Sequence, residues 1–235
     1  MDAIWLGSGS KSRLDLMQEL VSSPSFQSLG PVAFHGKVSA DIDEKAIRHA
    51  DPKELVMALA HAKADAILGD AAKRDLLLTT KAVVDAPTMG ASEPLDNETA
   101  NNVYLVTCDQ VVVHKDVILE KPENETEARA MIQGYADAPA MTVGSTLVTD
   151  VRRGVRAGRI DVATISFVEG GLKEEDVSAL IEEGEVFWCA GGLMVEHARV
   201  SPYVAEIQGG MDSVMGLRKE SVIEMLELVK KQTDF

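Results

Sequence analysis

Ala3-Ile4-Trp5-Leu6 is a short continuous apolar run that reads as a buried strand, and it stops at Gly7-Ser8-Gly9-Ser10. Leu14, Met17 and Val21 follow at spacings of three and four, the period of an amphipathic helix, with Ser10 as its expected N-cap. Asp51-Pro52-Lys53-Glu54 combines a cap, a proline at the first helical position and an early acid, which predicts a helix reaching about Leu68. Its apolar stripe is expected to hold Leu55, Val56, Leu59, Ala62 and Ala66, with Lys63 at the margin. A lysine there either snorkels its stem along the core or points its ammonium into a cleft.

From Asp70 to Asn102 the pattern breaks down into Ala, Thr, Asn, Asp, Gly and Pro-rich sequence, which predicts an inserted surface excursion at about 70–102. Val103 to Val113 is a β-type apolar run, and His114-Lys115-Asp116 is a turn. Val117-Ile118-Leu119 is the returning strand of a hairpin, closed by Glu120-Lys121-Pro122. Pro122 and Glu123 are expected to open an amphipathic helix through Ala128, Met131 and Ile132. Thr142 to Val151 and Arg159 to Phe167 predict two strands joined by the solvated basic turn Arg152-Arg153-Gly154-Val155-Arg156. A helix over Lys173 to Ile181, a tight backbone approach at Ala190-Gly191-Gly192, a strand over Tyr203 to Gln208 and a helix over Lys219 to Lys231 complete the pattern. Strands and helices interleave without repeats or a linker, so one α/β domain spanning 1–235, with two lobes, is expected.

Composition narrows the class. A chain of 235 residues with 46% hydrophobic content can fill a sizeable core. No stretch approaches the roughly 18 apolar residues of a membrane span, and the first residues lack the pattern of a signal peptide. Cys108 and Cys189 are too few for a disulfide scaffold and read as buried thiols, in keeping with a reduced, cytoplasmic setting. With 38 acidic and 23 basic residues, the net charge of −15 opposes binding to polynucleotides. A small anion remains a suitable ligand where a few Lys and Arg residues and a divalent cation make a local positive pocket. The histidines at 35, 49, 61, 114 and 197 show no HExxH or similar pairing, so no zinc site is expected.

Asp109 sits at the centre of the apolar run Val103 to Val113. A buried ionised carboxylate needs a metal, a cation or several donors, which makes Asp109 a site candidate; the alternative is an Asp bonding its own backbone in a turn. The strand, Gly/Ser loop and helix over Ile4 to Leu20 can offer backbone N–H groups and a helix N-terminus to a phosphate, with Lys11 and Arg13 adding positive charge. It is no Walker loop, because Ser10 stands where that motif has the glycine before its lysine. Asp41-Ile42-Asp43-Glu44 and Glu120-Lys121 carry further acids. Together with Asp109 these could supply oxygen ligands for Mg²⁺, which takes one or two carboxylates plus waters and substrate phosphate. Lys63, Lys121 and Arg13 would then clamp the phosphates.

In order along the chain, Leu6-Gly7-Ser8-Gly9-Ser10-Lys11-Ser12-Arg13, Asp41-Ile42-Asp43-Glu44 and Leu59-Ala60-His61-Ala62-Lys63-Ala64 are followed by Cys108-Asp109-Gln110-Val111-Val112 and Leu119-Glu120-Lys121-Pro122. Ala190-Gly191-Gly192 and Val214-Met215-Gly216-Leu217 close the series. The set resembles the Maf, or septum-formation-inhibitor-like, nucleotide pyrophosphatases. The resemblance implies the inosine triphosphatase-like fold, a central twisted mixed sheet with flanking helices and two lobes around a cleft. It also implies hydrolysis of a nucleoside triphosphate to monophosphate and pyrophosphate with a divalent metal, Mg²⁺ first and Mn²⁺ or Co²⁺ as alternatives, and a homodimer.

By that resemblance Asp109 is the catalytic acid residue, either accepting a proton from the attacking water or holding the metal. Ser8, Ser10, Lys11, Arg13, Lys63 and Lys121 bind phosphate, and Asp43, Glu44, Asp109 and Glu120 are the metal candidates. Ser12, Gln110 and Glu196 fall at positions that separate branches of the family. Gln110 after the acid, Glu196 and Cys189-Ala190-Gly191 are similar to the 7-methyl-GTP branch, whereas the dTTP/UTP branch has Arg at position 12, Thr at 110, Gln near 196 and Lys before Ala190-Gly191. A 7-methylguanine ring carries positive charge and N–H donors that a carboxylate such as Glu196 can meet. Lys11-Ser12, Leu193-Met194-Val195 and the 70–102 excursion depart from the family pattern, so the base wall is less well defined than the phosphate end. A dTTP/UTP pyrophosphatase and a nucleotide-binding regulator of cell division without turnover are the competing readings.

Overall fold

The protein is described from a computed structural model, over residues 1–79 and 100–233. β1 (Asp2–Gly7) is buried at all but its first residue, which explains its unbroken apolar run. Ser10 caps α1 (Lys11–Val21), its hydroxyl accepting from the Arg13 N–H, and Ser23 caps the short α2 (Pro24–Gln27). β2 (Val32–Lys37) then runs parallel to β1. The sequence reading does not contain β2; its residues are only half-buried, and Val32-Ala33-Phe34-His35-Gly36 shows neither strict alternation nor a long apolar run.

α3 (Pro52–Gly69) is capped by Asp51, whose carboxylate accepts from the Lys53 N–H at 2.8 Å. Its buried face is Leu55, Val56, Leu59, Ala60, Lys63, Ala64 and Ile67. That corrects the expected stripe: Ala62 and Ala66 lie at its edges, and Lys63 is within it. The excursion expected from Asp70 begins with an ordered helix, α4 (Ala71–Leu78), capped by the Asp70 carboxylate and anchored by buried Leu77. The rest of that expectation, 80–99, lies outside the described residues.

β3 (Val103–His114), β4 (Val117–Leu119), α5 (Glu125–Gly134), β5 (Ala140–Asp150) and β6 (Arg156–Phe167) follow. α6 (Glu174–Glu183), β7 (Val204–Gln208), α7 (Met211–Val214) and α8 (Lys219–Thr233) come after them. α5 starts at Glu125 rather than at Pro122, because the Asn124 side chain accepts from the Glu127 N–H at 3.0 Å and fixes the start. β5 ends at Asp150, one residue before the expected Val151, whereas β6 starts three residues earlier than the expected Arg159, so the solvated tip is Arg152, Arg153 and Gly154.

The seven strands form one sheet in the order β2-β1-β3-β5-β6-β7, with β4 paired to β3. β1 is parallel to β2 and β3, and the remaining pairs are antiparallel. This is the mixed sheet with flanking helices expected of the inosine triphosphatase-like fold. Leu16, Met17 and Leu20 of α1 and Val222, Leu226 and Val229 of α8 cover one face with Ile4, Leu6, Tyr104 and Val106. Ala60, Ala64 and Ile67 of α3 cover the other with Ala3, Trp5, Val103 and Leu105. Further along β3, Val111 and Val113 pack with Leu55, Val56 and Leu59, and Val112 packs with Tyr135 and Ala140. Asp109 therefore lies between two sets of apolar contacts on one continuous strand.

Candidate active site

α3 is set against the centre of β3 by two polar fasteners. Thr107 Oγ1 donates to the Ala60 carbonyl at 2.9 Å, and Ser145 Oγ of β5 donates to the Val56 carbonyl at 2.7 Å. Ser145 also accepts from the Asp109 N–H at 3.1 Å. Sequence reasoning missed both hydroxyls, since a Ser or Thr in a strand carries no signal of such a contact. Gly7 completes the approach: a Cβ there would lie 2.6 Å from Thr107 Cγ2 and 2.9 Å from Ile67 Cδ1.

This register brings Lys63 to Asp109. Lys63 Nζ lies 2.5 Å from Asp109 Oδ1 and 2.9 Å from Glu44 Oε1, and donates to the Cys108 carbonyl at 3.4 Å. Lys63 and Asp109 are buried, while Glu44 is half-exposed. The ammonium is thus directed into the site, and the charge of Asp109 meets the cation that burial requires. Burial raises the Glu44 carboxyl, but Lys63, by charge and hydrogen bond, then the Lys121 and Arg13 charges, hold it below its ordinary value. Those cations therefore converge electrostatically on one carboxylate.

The glycine-rich turn behaves as a helix entry. The Ser10 N–H donates to buried Ser8 Oγ at 3.2 Å, and Ser10 Oγ accepts from the Arg13 N–H at 3.4 Å. Lys11 is exposed and Ser12 half-buried in the first turn of α1. Arg13 is committed to backbone: Nε donates to the Gly216 carbonyl at 2.9 Å and Nη1 to the Cys108 carbonyl at 3.2 Å. It joins α1, β3 and the turn after α7 while contributing charge toward Glu44. Gln110, next to Asp109, donates through Nε2 to the Ser213 and Val214 carbonyls at 2.9 and 3.0 Å.

The other candidate acids are differently engaged. Asp43 accepts from the Lys45 N–H at 3.1 Å and caps the 3₁₀ turn Glu44–Ala46. Glu120 pairs with Arg48 at 3.2 Å, and Lys45 pairs with Glu123, so the segment after Asp43 is tied to the end of the β3–β4 hairpin. Lys45 and Arg48, which sequence reasoning did not select, line a cavity of about 410 Å³ with Glu120 and the exposed Lys121. Among the described residues no three His, Cys, Asp or Glu side chains gather as a metal cluster. Asp109 and Glu44, held about one ammonium, are the carboxylates that could hold Mg²⁺, which takes one or two carboxylates plus waters and phosphate.

Glu196 is exposed on the segment after the 3₁₀ turn Ala190–Gly192. Its neighbours are fastened to α6: His197 Nε2 lies 3.1 Å from Glu183, Arg199 pairs with Asp176 and Glu183, and Tyr203 Oη donates to Asp176 at 2.6 Å. Gly191 meets the hairpin, its N–H donating to the Glu120 carbonyl at 2.8 Å and its carbonyl accepting from Tyr135 Oη at 2.6 Å. Cys108 is buried and Cys189 half-buried; burial pushes each thiol up to about 11. No helix among the described residues is long and apolar enough to cross a membrane.

The chain is similar to several known proteins. A 7-methyl-GTP pyrophosphatase of Dictyostelium discoideum is 32% identical over 194 residues, covering 83% of this chain and 86% of the relative. A dTTP/UTP pyrophosphatase of Neisseria meningitidis is 25% identical over 97% of this chain and 94% of the relative. A nucleoside triphosphate pyrophosphatase of Parasynechococcus marenigrum is 26% identical over 90% of this chain and 88% of the relative. A family model described as Maf-like protein matches residues 3–229, nearly the whole length, and the chain belongs to the Maf-like family.

Proposed function

We propose that the protein hydrolyses a nucleoside triphosphate, 7-methyl-GTP or a similarly modified nucleotide, to the monophosphate and pyrophosphate. The observation that carries the reading is the ammonium of Lys63 held between the buried Asp109 and the Glu44 carboxylate. A regulator that only binds nucleotide has no use for two carboxylates facing a triphosphate. In a hydrolase they supply a proton acceptor and oxygen ligands. The oxygen of a water attacks the α-phosphorus, the bond to the bridging oxygen between the α- and β-phosphates breaks, and pyrophosphate leaves. Asp109 accepts the proton of the attacking water, while Lys63 keeps the carboxylate oriented along β3. Glu44 would hold Mg²⁺, whose charge would offset that developing on the phosphates. Lys121 and the first turn of α1 contribute positive potential for the polyphosphate.

The preference for 7-methyl-GTP rests on Gln110 and Glu196, and on the relative from Dictyostelium discoideum named for that activity. A dTTP/UTP preference is the second reading, favoured by the relative from Neisseria meningitidis that spans 97% of this chain. A panel of triphosphates assayed with Mg²⁺ and pyrophosphate detection separates them. Turnover of dTTP equal to or better than that of 7-methyl-GTP would overturn the methylguanine assignment. Tight nucleotide binding without hydrolysis across Mg²⁺, Mn²⁺ and Co²⁺ would remove the enzymatic reading altogether.

A further inference from the structure

Ser145 stands directly across from Asp109 in the antiparallel pairing of β3 with β5, so the two side chains share one face of the sheet, the face that α3 covers. Two residues to either side of it on that face, Val143 packs with Leu55, Val56 and Leu59, and Leu147 packs with Ala60 and Ala64. A hydroxyl only 3% exposed therefore interrupts a strip that is otherwise apolar. Buried hydroxyls are kept where they are bonded. The single hydrogen of this one goes to the Val56 carbonyl at 2.7 Å, while a lone pair receives the Asp109 N–H at 3.1 Å.

One oxygen atom thus ties the backbone of Asp109 to the helix that carries Lys63. Thr107, two residues before Asp109 and on the same face, repeats the bond one helical turn later, at the Ala60 carbonyl. The spacings match, since four helical residues rise about 6 Å and two strand residues about 7 Å. α3 consequently runs against the direction of β3, with Val56 at the Asp109 end and Ala60 at Thr107. Lys63 is three residues beyond Ala60, yet its Nζ meets Asp109 and the Cys108 carbonyl, so its stem runs back along α3 toward the Ser145 end. A slip of the helix along the strand would carry the ammonium away from the carboxylate, and Ser145 is the side chain bonded to both elements where that slip matters.

We infer that Ser145 is a positioning residue for the reaction, fixing the backbone of Asp109 and, through the Val56 carbonyl, the approach of Lys63 to its carboxylate. The inference rests on the proposed hydrolysis and adds to it a residue that touches neither nucleotide nor metal. Asp109 takes the proton of the attacking water only where its carboxylate stands against that water. An error of about 1 Å there is felt in the chemical step more than in nucleotide binding.

Three variants separate positioning from support of the fold. S145A removes the hydroxyl, S145C puts a weaker donor and acceptor in its place, and T107V loosens α3 without touching Asp109. With Mg²⁺ and the triphosphate that the wild type turns over best, S145A should lower kcat roughly 10- to 100-fold while KM changes less than about 3-fold. S145C should fall between S145A and wild type, and T107V should keep most of its kcat. In urea unfolding, the coupling between K63M and D109N should be smaller on the S145A background than in the wild type. Should S145A fail to fold, S145C carries the same comparison with T107V. An active wild type whose S145A variant keeps full kcat, is no slower than T107V, or changes KM as much as kcat overturns the inference alone, as does an undiminished coupling between K63M and D109N. A wild type that hydrolyses no nucleoside triphosphate overturns the proposed function and the role of Ser145 in it.

Discussion

Lys63 Nζ and Asp109 Oδ1 stand 2.5 Å apart with both side chains about nine-tenths buried, so each charge depends on the other for its place in the fold. Removing one partner of a buried pair leaves an uncompensated charge, at a typical loss of about 3–5 kcal/mol. K63M should show a loss of that order in urea unfolding, and K63M/D109N should regain part of it because the orphaned charge is gone. D109N alone should lower kcat by roughly 10²- to 10⁴-fold, the range of a general base, while keeping the native circular dichroism spectrum. A fully active D109N would take Asp109 out of the mechanism, and a K63M protein as stable as wild type would show that the pair carries no structural weight.

Glu44 has its pKa lowered in the folded protein, burial being outweighed by Lys63, Lys121 and Arg13. A depressed carboxylate stabilises the fold above its unfolded value, 4.5, and that contribution disappears as pH falls through the lower folded value. Stability measured by urea midpoint should therefore separate wild type from E44Q by a constant margin above about pH 5, with the margin shrinking below the unfolded pKa of about 4.5. A difference between the two proteins that widens on acidification has the wrong sign and would reject the ion pair as its source.

Much of this site is legible in the sequence, and the parts that are not share a physical cause. Ser10, Asp51 and the Val103 to Val113 run announce themselves through capping and apolar periodicity, which are local. The buried position of Lys63 is not local: its stem is covered because Thr107 and Ser145 draw α3 onto β3, a contact between residues 47 positions apart for Thr107 and Ala60. Gln110 reads as a specificity marker, yet its amide is bonded to the carbonyls of Ser213 and Val214, 103 and 104 residues away. Arg13 likewise reads as a phosphate ligand and is found holding two carbonyls. A sequence shows which side chains can donate and accept; the partners are chosen by the tertiary register. The α4 helix is different: Asp70 supplies its cap, but the leucines are consecutive rather than periodic and only Leu77 is buried, so its sequence carries no helical stripe.

The two thiols bear on how the enzyme is handled and on whether a cysteine takes part. Burial pushes Cys108 and Cys189 each up to about 11, so both are overwhelmingly protonated near neutral pH. Labelling with Ellman's reagent at pH 7.5 should be slow in the folded protein and should reach two thiols per chain once it is denatured. Rapid loss of activity on alkylation of the native protein, prevented by nucleotide, would place a thiolate in the site and contradict this.

Gly191 and Tyr135 hold together the turn that follows Cys189. Gly191 has φ of +64°, and a Cβ on it would lie 2.4 Å from Tyr135 Oη and 2.9 Å from Val112 Cβ, so any side chain is both strained and obstructed. Y135F is milder: it removes the hydroxyl that donates to the Gly191 carbonyl at 2.6 Å and leaves that acceptor unsatisfied, at about 1–3 kcal/mol. In a chain of this length that corresponds to a fall in Tm of roughly 2–12 °C. G191A should fall further, and because its clash includes Val112, adding Y135F should not restore it to the Y135F level. If G191A melts like wild type, the backbone at Gly191 is free to move and the contact with Tyr135 does not fix it.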